Sequence, residues 1–146
     1  MIQRVSSASC KVDGAITGEI GKGFMILVGF GHEENKETVR KTAEKISKLR
    51  VFDDGEGKMN LSLKDVGGDI LSISQFTLYA DTRKGNRPSF TDALGGEEAK
   101  ELYAYFNECL RACGLHVEEG IFGADMKISL VNDGPVTIIM DSEERK

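Results

Sequence analysis

The chain has 146 residues, of which 40% are hydrophobic and 29% charged; this fits one domain over 1–146 and leaves no room for a second independent core. That composition excludes a disordered chain, a collagen-like repeat and a coiled coil, and the longest apolar run, Phe24 to Val28 followed by Gly29 and Phe30, falls far short of the ~20 residues that cross a bilayer. The net charge of -5 argues against a broad basic surface gripping many phosphates, so any nucleic-acid contact must be local.

Residues Met1 to Ser7 mix polar and apolar side chains where a secretory signal needs an unbroken apolar stretch. Cys10, Cys109 and Cys113 are odd in number and too few for a disulfide framework. Both observations predict a cytoplasmic protein with buried thiols.

Ile2 to Val12 is rich in Val, Ser and Cys, Asp13-Gly14 is a tight-turn dipeptide, and Ala15 to Ile20 resumes an extended pattern, so the chain opens on a hairpin. Phe24 to Phe30 predicts a buried strand. From Lys36 to Arg50, Val39, Ala43, Ile46 and Leu49 recur at steps of four and three, which is an amphipathic helix. Asp54 to Gly57 is a loop, Asp69 to Leu78 a strand, and Asp81 to Asp92 a polar stretch without regular structure. Glu97 to Cys113 puts Leu102, Phe106, Cys109, Leu110 and Cys113 on one stripe and ends at Gly114, predicting a second helix. Val117 to Phe122, Met126 to Val131 and Val136 to Met140 are further strands, the last two joined by a turn at Asn132 to Pro135; the charged tail from Asp141 to Lys146 is expected to fray. Together these elements predict an α+β fold, with a mostly antiparallel sheet or partial barrel covered on one side by two long helices.

Candidate chemistry is sparse. Cys109, Cys113 and His116 suit zinc by type, but their spacing fits thiols packed on a helix stripe, and no metal or cofactor is expected. Gly21-Lys22-Gly23 and Gly29-Phe30-Gly31 lack the continuation of a phosphate loop. His32 and His116 are the only histidines, and neither sits in a nucleophile elbow, so no catalytic triad is assignable.

Three segments carry more than their secondary structure demands. Ser74-Gln75-Phe76-Thr77-Leu78 ends a strand in hydroxyls and an amide, and strict alternation would put Gln75 and Thr77 on one face. A solvated edge strand would look the same. Arg83 to Phe90 gathers Arg83, Lys84 and Arg87 in an acidic protein, either a phosphate-contacting patch or a solvated charge run. Asn132-Asp133-Gly134-Pro135-Val136-Thr137 reads equally as an ordinary turn.

The motifs S-Q-F-T-L at Ser74 to Leu78 and N-x-G-P-V-T at Asn132 to Thr137, in that order, resemble the D-aminoacyl-tRNA deacylase family. The likeness extends through Lys58 to Ser62, Ala80 to Gly85, Arg87 to Phe90 and Phe122 to Met126, departing at Asn86, where relatives often carry a second basic residue.

The resemblance implies hydrolysis of the ester between a D-amino acid and tRNA as chiral proofreading, with rejection of L-aminoacyl-tRNA and action on glycyl-tRNA, including mischarged tRNA(Ala). It implies a catalytic segment at Ser74, Gln75, Phe76 and Thr77, with tRNA contacts at Arg83, Lys84, Arg87, Phe90, Met126 and Asn132. It also implies a homodimer in which Gly134-Pro135, joined by a cis peptide bond, reaches into the partner's active site to exclude L residues. The pocket would take the 3′-terminal adenosine, whose 2′-hydroxyl would help activate water. A covalent Thr77, a hydrolase of small esters and a non-catalytic RNA-end-binding module stand as alternatives.

Overall fold

The computed structural model describes residues 1–142, so of the expected frayed tail, residues 143–146 lie outside the described ones. The opening hairpin forms as expected: β1 (Ile2–Val12) turns at Asp13-Gly14 into β2 (Ala15–Ile20). β1 is long enough to serve several partners. Its first half pairs antiparallel with β3 (Gly23–Val28), its second half with β2, and its other edge with β8 (Lys127–Ile138) along most of its length.

The sheet is mixed, where a mostly antiparallel one was expected. β6 (Asp69–Ser74) runs parallel to β3, and β7 (Val117–Glu119) runs parallel to β6. Parallel neighbours need a crossover connection. Each of the two long helices belongs to one: α1 (Lys36–Ser47) lies between β3 and β6, and α3 (Gly96–Ala112) between β6 and β7. The helices are therefore connections as well as covers. At the two ends of the order β2-β1-β3-β6-β7, β2 meets β7 where Gly18 lies against Glu118 and Glu119, and the sheet nearly closes as a barrel.

Alternation on the strands separates two cores. On the helix side, Phe24, Ile26 and Ile70 meet Val39, Ala43 and Ile46 of α1 and Phe106 and Leu110 of α3, with Cys109 and Cys113 packed against them. Inside the barrel, Val5, Cys10, Ile20, Met25, Leu71 and Ile73 fill the centre. α1 starts under a reciprocal cap in which Asn35 Oδ1 accepts from the Thr38 amide at 3.0 Å and Thr38 Oγ1 accepts from the Asn35 amide at 3.1 Å. Between α1 and β6 lie a small hairpin, β4 (Phe52–Asp53) with β5 (Met59–Leu61), and the one-turn helix α2 (Leu63–Val66). That hairpin was not expected.

Two expectations change near the motifs. The strand expected over Asp69 to Leu78 stops at Ser74, and Phe76–Tyr79 form a 3₁₀ turn, so the alternation inferred for Gln75 to Leu78 does not hold. Nor do Met126 to Val131 and Val136 to Met140 form a hairpin about a turn. They are two reaches of one strand, β8, both paired with β1, and Asn132 to Thr137 bulge between them.

Candidate active site

The parallel strands β3 and β6 end side by side, Val28 opposite Ser74. The ladder closes where the Gln75 amide donates to the Val28 carbonyl at 2.8 Å, and the chain then coils through Phe76–Tyr79. The amides of Phe76 and Thr77 open that turn, where no intrahelical acceptor lies ahead of them. The Gln75 side-chain amide donates to Thr77 Oγ1.

Beside this turn is a cavity of about 170 Å³, walled by Ser74, Gln75 and Phe76 on one side and by Phe122, Gly123, Ala124 and Met126 on the other. The 3₁₀ turn thus meets the segment between β7 and β8 around one space. Tyr103 of α3 backs Phe122, with ring centroids 6.1 Å apart, and donates from its hydroxyl to the Ser72 carbonyl at 2.7 Å. Burial pushes the Tyr103 phenol further above its ordinary pKa, so it stays a neutral donor. A larger cavity of about 360 Å³ lies between β3, α1 and the end of β8 and shares Val28, Gly29 and Phe30. It carries neither Ser74 nor Gln75, and the smaller cavity is the candidate site.

Thr77 is absent from the smaller cavity's walls, as are Arg83, Lys84 and Arg87. Those three cations are exposed on the loop that follows the 3₁₀ turn. The loop is pinned at its base, where Asp81 and Ser89 exchange backbone hydrogen bonds at 2.7 and 2.9 Å. Arg83 holds it from within, donating from Nε and Nη2 to the Asp81 carboxylate at 2.9 and 2.8 Å. These bonds pull the Asp81 carboxyl down to about 2. Beyond the loop Phe90 meets Phe76 edge to face at 5.2 Å. Two of the segments singled out in the sequence are therefore in contact.

The third stands elsewhere: Asn132, Gly134 and Pro135 do not line the cavity. The Gly134-Pro135 bond is cis, as expected, and both residues are exposed. Asn132 Oδ1 accepts from the Val136 amide at 2.9 Å and its Nδ2 donates to Thr137 Oγ1 at 3.0 Å, so its side chain spans the bulge. Gly134 has φ of +134°, and an added Cβ would lie 3.0 Å from Arg4 Nη2; both exclude a larger residue.

Arg4 is a residue the sequence reading missed. It is buried at the base of the bulge, donating from Nε to Asp133 O at 2.9 Å and from Nη1 to Val51 O at 2.7 Å, with the Asp53 carboxylate at 3.4 Å. Its phase was the available signal: Arg4 is two residues after Ile2, which put a charge on an inward-facing position of a strand.

Residues 1–141 match the family model described as D-Tyr-tRNA(Tyr) deacylase. The chain belongs to that family. Its sequence is 57% identical over 141 residues to a D-aminoacyl-tRNA deacylase of Deinococcus radiodurans, covering 97% of both chains, and 56% identical over 144 residues to one of Bacillus pumilus, covering 99% of this chain and 98% of the other. Among solved structures it is similar to the c-Myc DNA Unwinding Element Binding Protein, with 40% identity, a TM-score of 0.86 and coverage of 94% and 93%. A probable eukaryotic D-amino acid tRNA deacylase shares the fold, with a TM-score of 0.78, 17% identity and coverage of 90% and 92%. Deacylation in this family is the hydrolysis of an ester. No helix among the described residues is long and apolar enough to cross a membrane.

Proposed function

We propose that this chain is a D-aminoacyl-tRNA deacylase that hydrolyses the ester between a D-amino acid and the terminal adenosine of tRNA, working as a chiral proofreader in the cytoplasm. The observation that carries this reading is the meeting of Ser74, Gln75 and Phe76 with Phe122 and Met126 around one cavity, in a chain that belongs to the family. In this reading the adenosine enters the cavity, and the ester lies by the 3₁₀ turn.

Neither histidine supplies a base there. His32 Nε2 is 2.8 Å from the Thr91 carbonyl, His116 Nε2 is 2.7 Å from Glu118, and neither lines the cavity. The substrate's own 2′-hydroxyl therefore helps to activate the attacking water. The developing oxyanion takes a hydrogen bond from the amide of Phe76 on the cavity wall, while the Gln75 amide is already held by Val28. Water adds to the ester carbonyl, the ester oxygen leaves with a proton, and tRNA and the free D-amino acid are released.

Selection of hand falls to Gly134-Pro135 in a homodimer, where the bulge of one protomer enters the partner's active site. What supports this role is that the bulge is exposed at its tip and held from within by Asn132 and from beneath by Arg4. D and L residues carry the same atoms, so discrimination must come from an obstacle where the L side chain would go. An obstacle at Cβ rejects every L residue and cannot reject glycine. The enzyme accordingly acts on glycyl-tRNA, including mischarged tRNA(Ala).

The test is deacylation of Gly-, L-Ala- and D-Ala-tRNA side by side. D-Ala and Gly are hydrolysed and L-Ala is spared. Glycyl-tRNA as resistant as L-Ala-tRNA would mean that the site instead recognises the D side chain positively.

A further inference from the structure

We propose that Phe76 and Phe90 form a stacking step for the base of the nucleotide that precedes the terminal adenosine, and that Lys84 and Arg87 hold the phosphates leading up to it. The inference rests on the deacylase reading and extends it beyond the adenosine cavity.

Phe76 has two environments. It forms part of the cavity wall, yet 57% of its surface is exposed, so it stands at the mouth and a strand leaving the cavity passes over it. Phe90 meets it at 5.2 Å with planes 76° apart, which makes the pair a corner of two rings rather than an isolated apolar side chain. The corner is fixed to the scaffold. The Ala93 amide donates to Phe90 O at 3.1 Å, the Leu94 amide donates to Phe30 O at 2.8 Å, and Thr91 O lies 2.8 Å from His32.

The neighbouring loop adds charge of one sign. Arg83 is neutralised by Asp81, whereas Lys84 and Arg87 have no carboxylate partner among the described residues and are exposed at the tip. Two uncommitted cations beside an exposed aromatic corner, in a chain of net charge -5, fit a ligand that joins a π face to phosphates. Single-stranded nucleic acid is that ligand: bases stack on aromatic side chains whatever their identity, and cations track the backbone. Arg83 acts differently from its neighbours, as a strut that shapes the loop.

The test compares D-Ala-adenosine with a D-Ala minihelix that carries the tRNA 3′ end, on wild type, Phe90→Leu and Phe76→Leu. Phe90→Leu should lower kcat/KM for the minihelix by about 5- to 150-fold more than for D-Ala-adenosine, the worth of one stacked base. Removing the base before the terminal adenosine should cost wild type the same factor and cost Phe90→Leu nothing further. Lys84→Gln and Arg87→Gln should each flatten the salt dependence of minihelix binding by about 0.7 in log-log slope. Equal losses on both substrates, or base removal that costs Phe90→Leu the same further factor as it costs wild type, overturn the stacking step. Wild type inert on both substrates overturns the deacylase reading itself.

Discussion

Arg4 Nε donates to the carbonyl oxygen of Asp133 at 2.9 Å, tying the first strand of the chain to the residue just before Gly134-Pro135. The same guanidinium reaches Val51 at the edge of the small hairpin, so a single buried side chain fixes three segments far apart in sequence. Arg4→Met should leave these two carbonyls without their donor and cost about 1–3 kcal/mol for each one that stays dry. Thermal unfolding measures that loss. With the bulge no longer held from beneath, deacylation of L-Ala-tRNA should rise relative to D-Ala-tRNA; an unchanged ratio in a folded variant would detach Arg4 from discrimination.

Thr77 is a hydrogen-bond partner of Gln75 and does not line the cavity. Thr77→Ala should therefore retain activity to within about tenfold, the worth of one neutral hydrogen bond. Single-turnover deacylation separates this from the loss of several orders of magnitude that removal of a nucleophile brings.

Asp81 titrates low because Arg83 donates to its carboxylate from both the side chain and the backbone. A carboxyl depressed in the folded state contributes stability above its unfolded pKa of about 3.9 and loses that contribution as pH falls toward the folded value. The loop should thus keep its geometry down to about pH 4 and release it between there and about 2. Carboxyl-carbon NMR should give wild-type Asp81 a midpoint of about 2, moving up in Arg83→Gln. A wild-type midpoint in the ordinary aspartate range would contradict the bidentate pairing.

A methyl group at Gly29 would lie 2.8 Å from the Gln75 carbonyl oxygen and 3.3 Å from the Tyr79 ring. Gly29→Ala must push the 3₁₀ turn outward, at a cost of about 1–3 kcal/mol for overpacking, and the deacylase rate should fall with it. Gly55→Ala meets nothing within 4 Å and should alter neither melting temperature nor rate.

What was legible in the sequence was local. Asp13-Gly14 marked the first hairpin, and the spacing of Val39, Ala43 and Ile46, and of Leu102, Phe106 and Leu110, marked the two long helices. The parallel pairing of β3, β6 and β7 was not legible, because it is decided by contacts between residues tens of positions apart. Phe76, Thr77 and Tyr79 favour strands by type, and the 3₁₀ turn they adopt instead begins where the Gln75 amide makes the last bond to Val28. Asn132 to Pro135 has turn chemistry and does bend, but β1 pairs on both sides of it and keeps the strand running. For the site, motif resemblance singled out Ser74 to Phe76 and Met126, and these four line one cavity. It was silent on Arg4, whose role depends on burial.

Between Gln3 and Val5 of β1, the partner strand advances from Thr137 back to Asn132: five steps of β8 are matched to two of β1. A second, smaller irregularity follows between Val5 and Ser7, and regular pairing resumes beyond it. Variation in the residues of that bulge can therefore reshape what it presents without moving a rung of the ladder, provided that Asn132 and Arg4 still hold its ends. In the proposed reading, substitutions confined to that exposed tip alter what is excluded while the barrel beneath them stays the same.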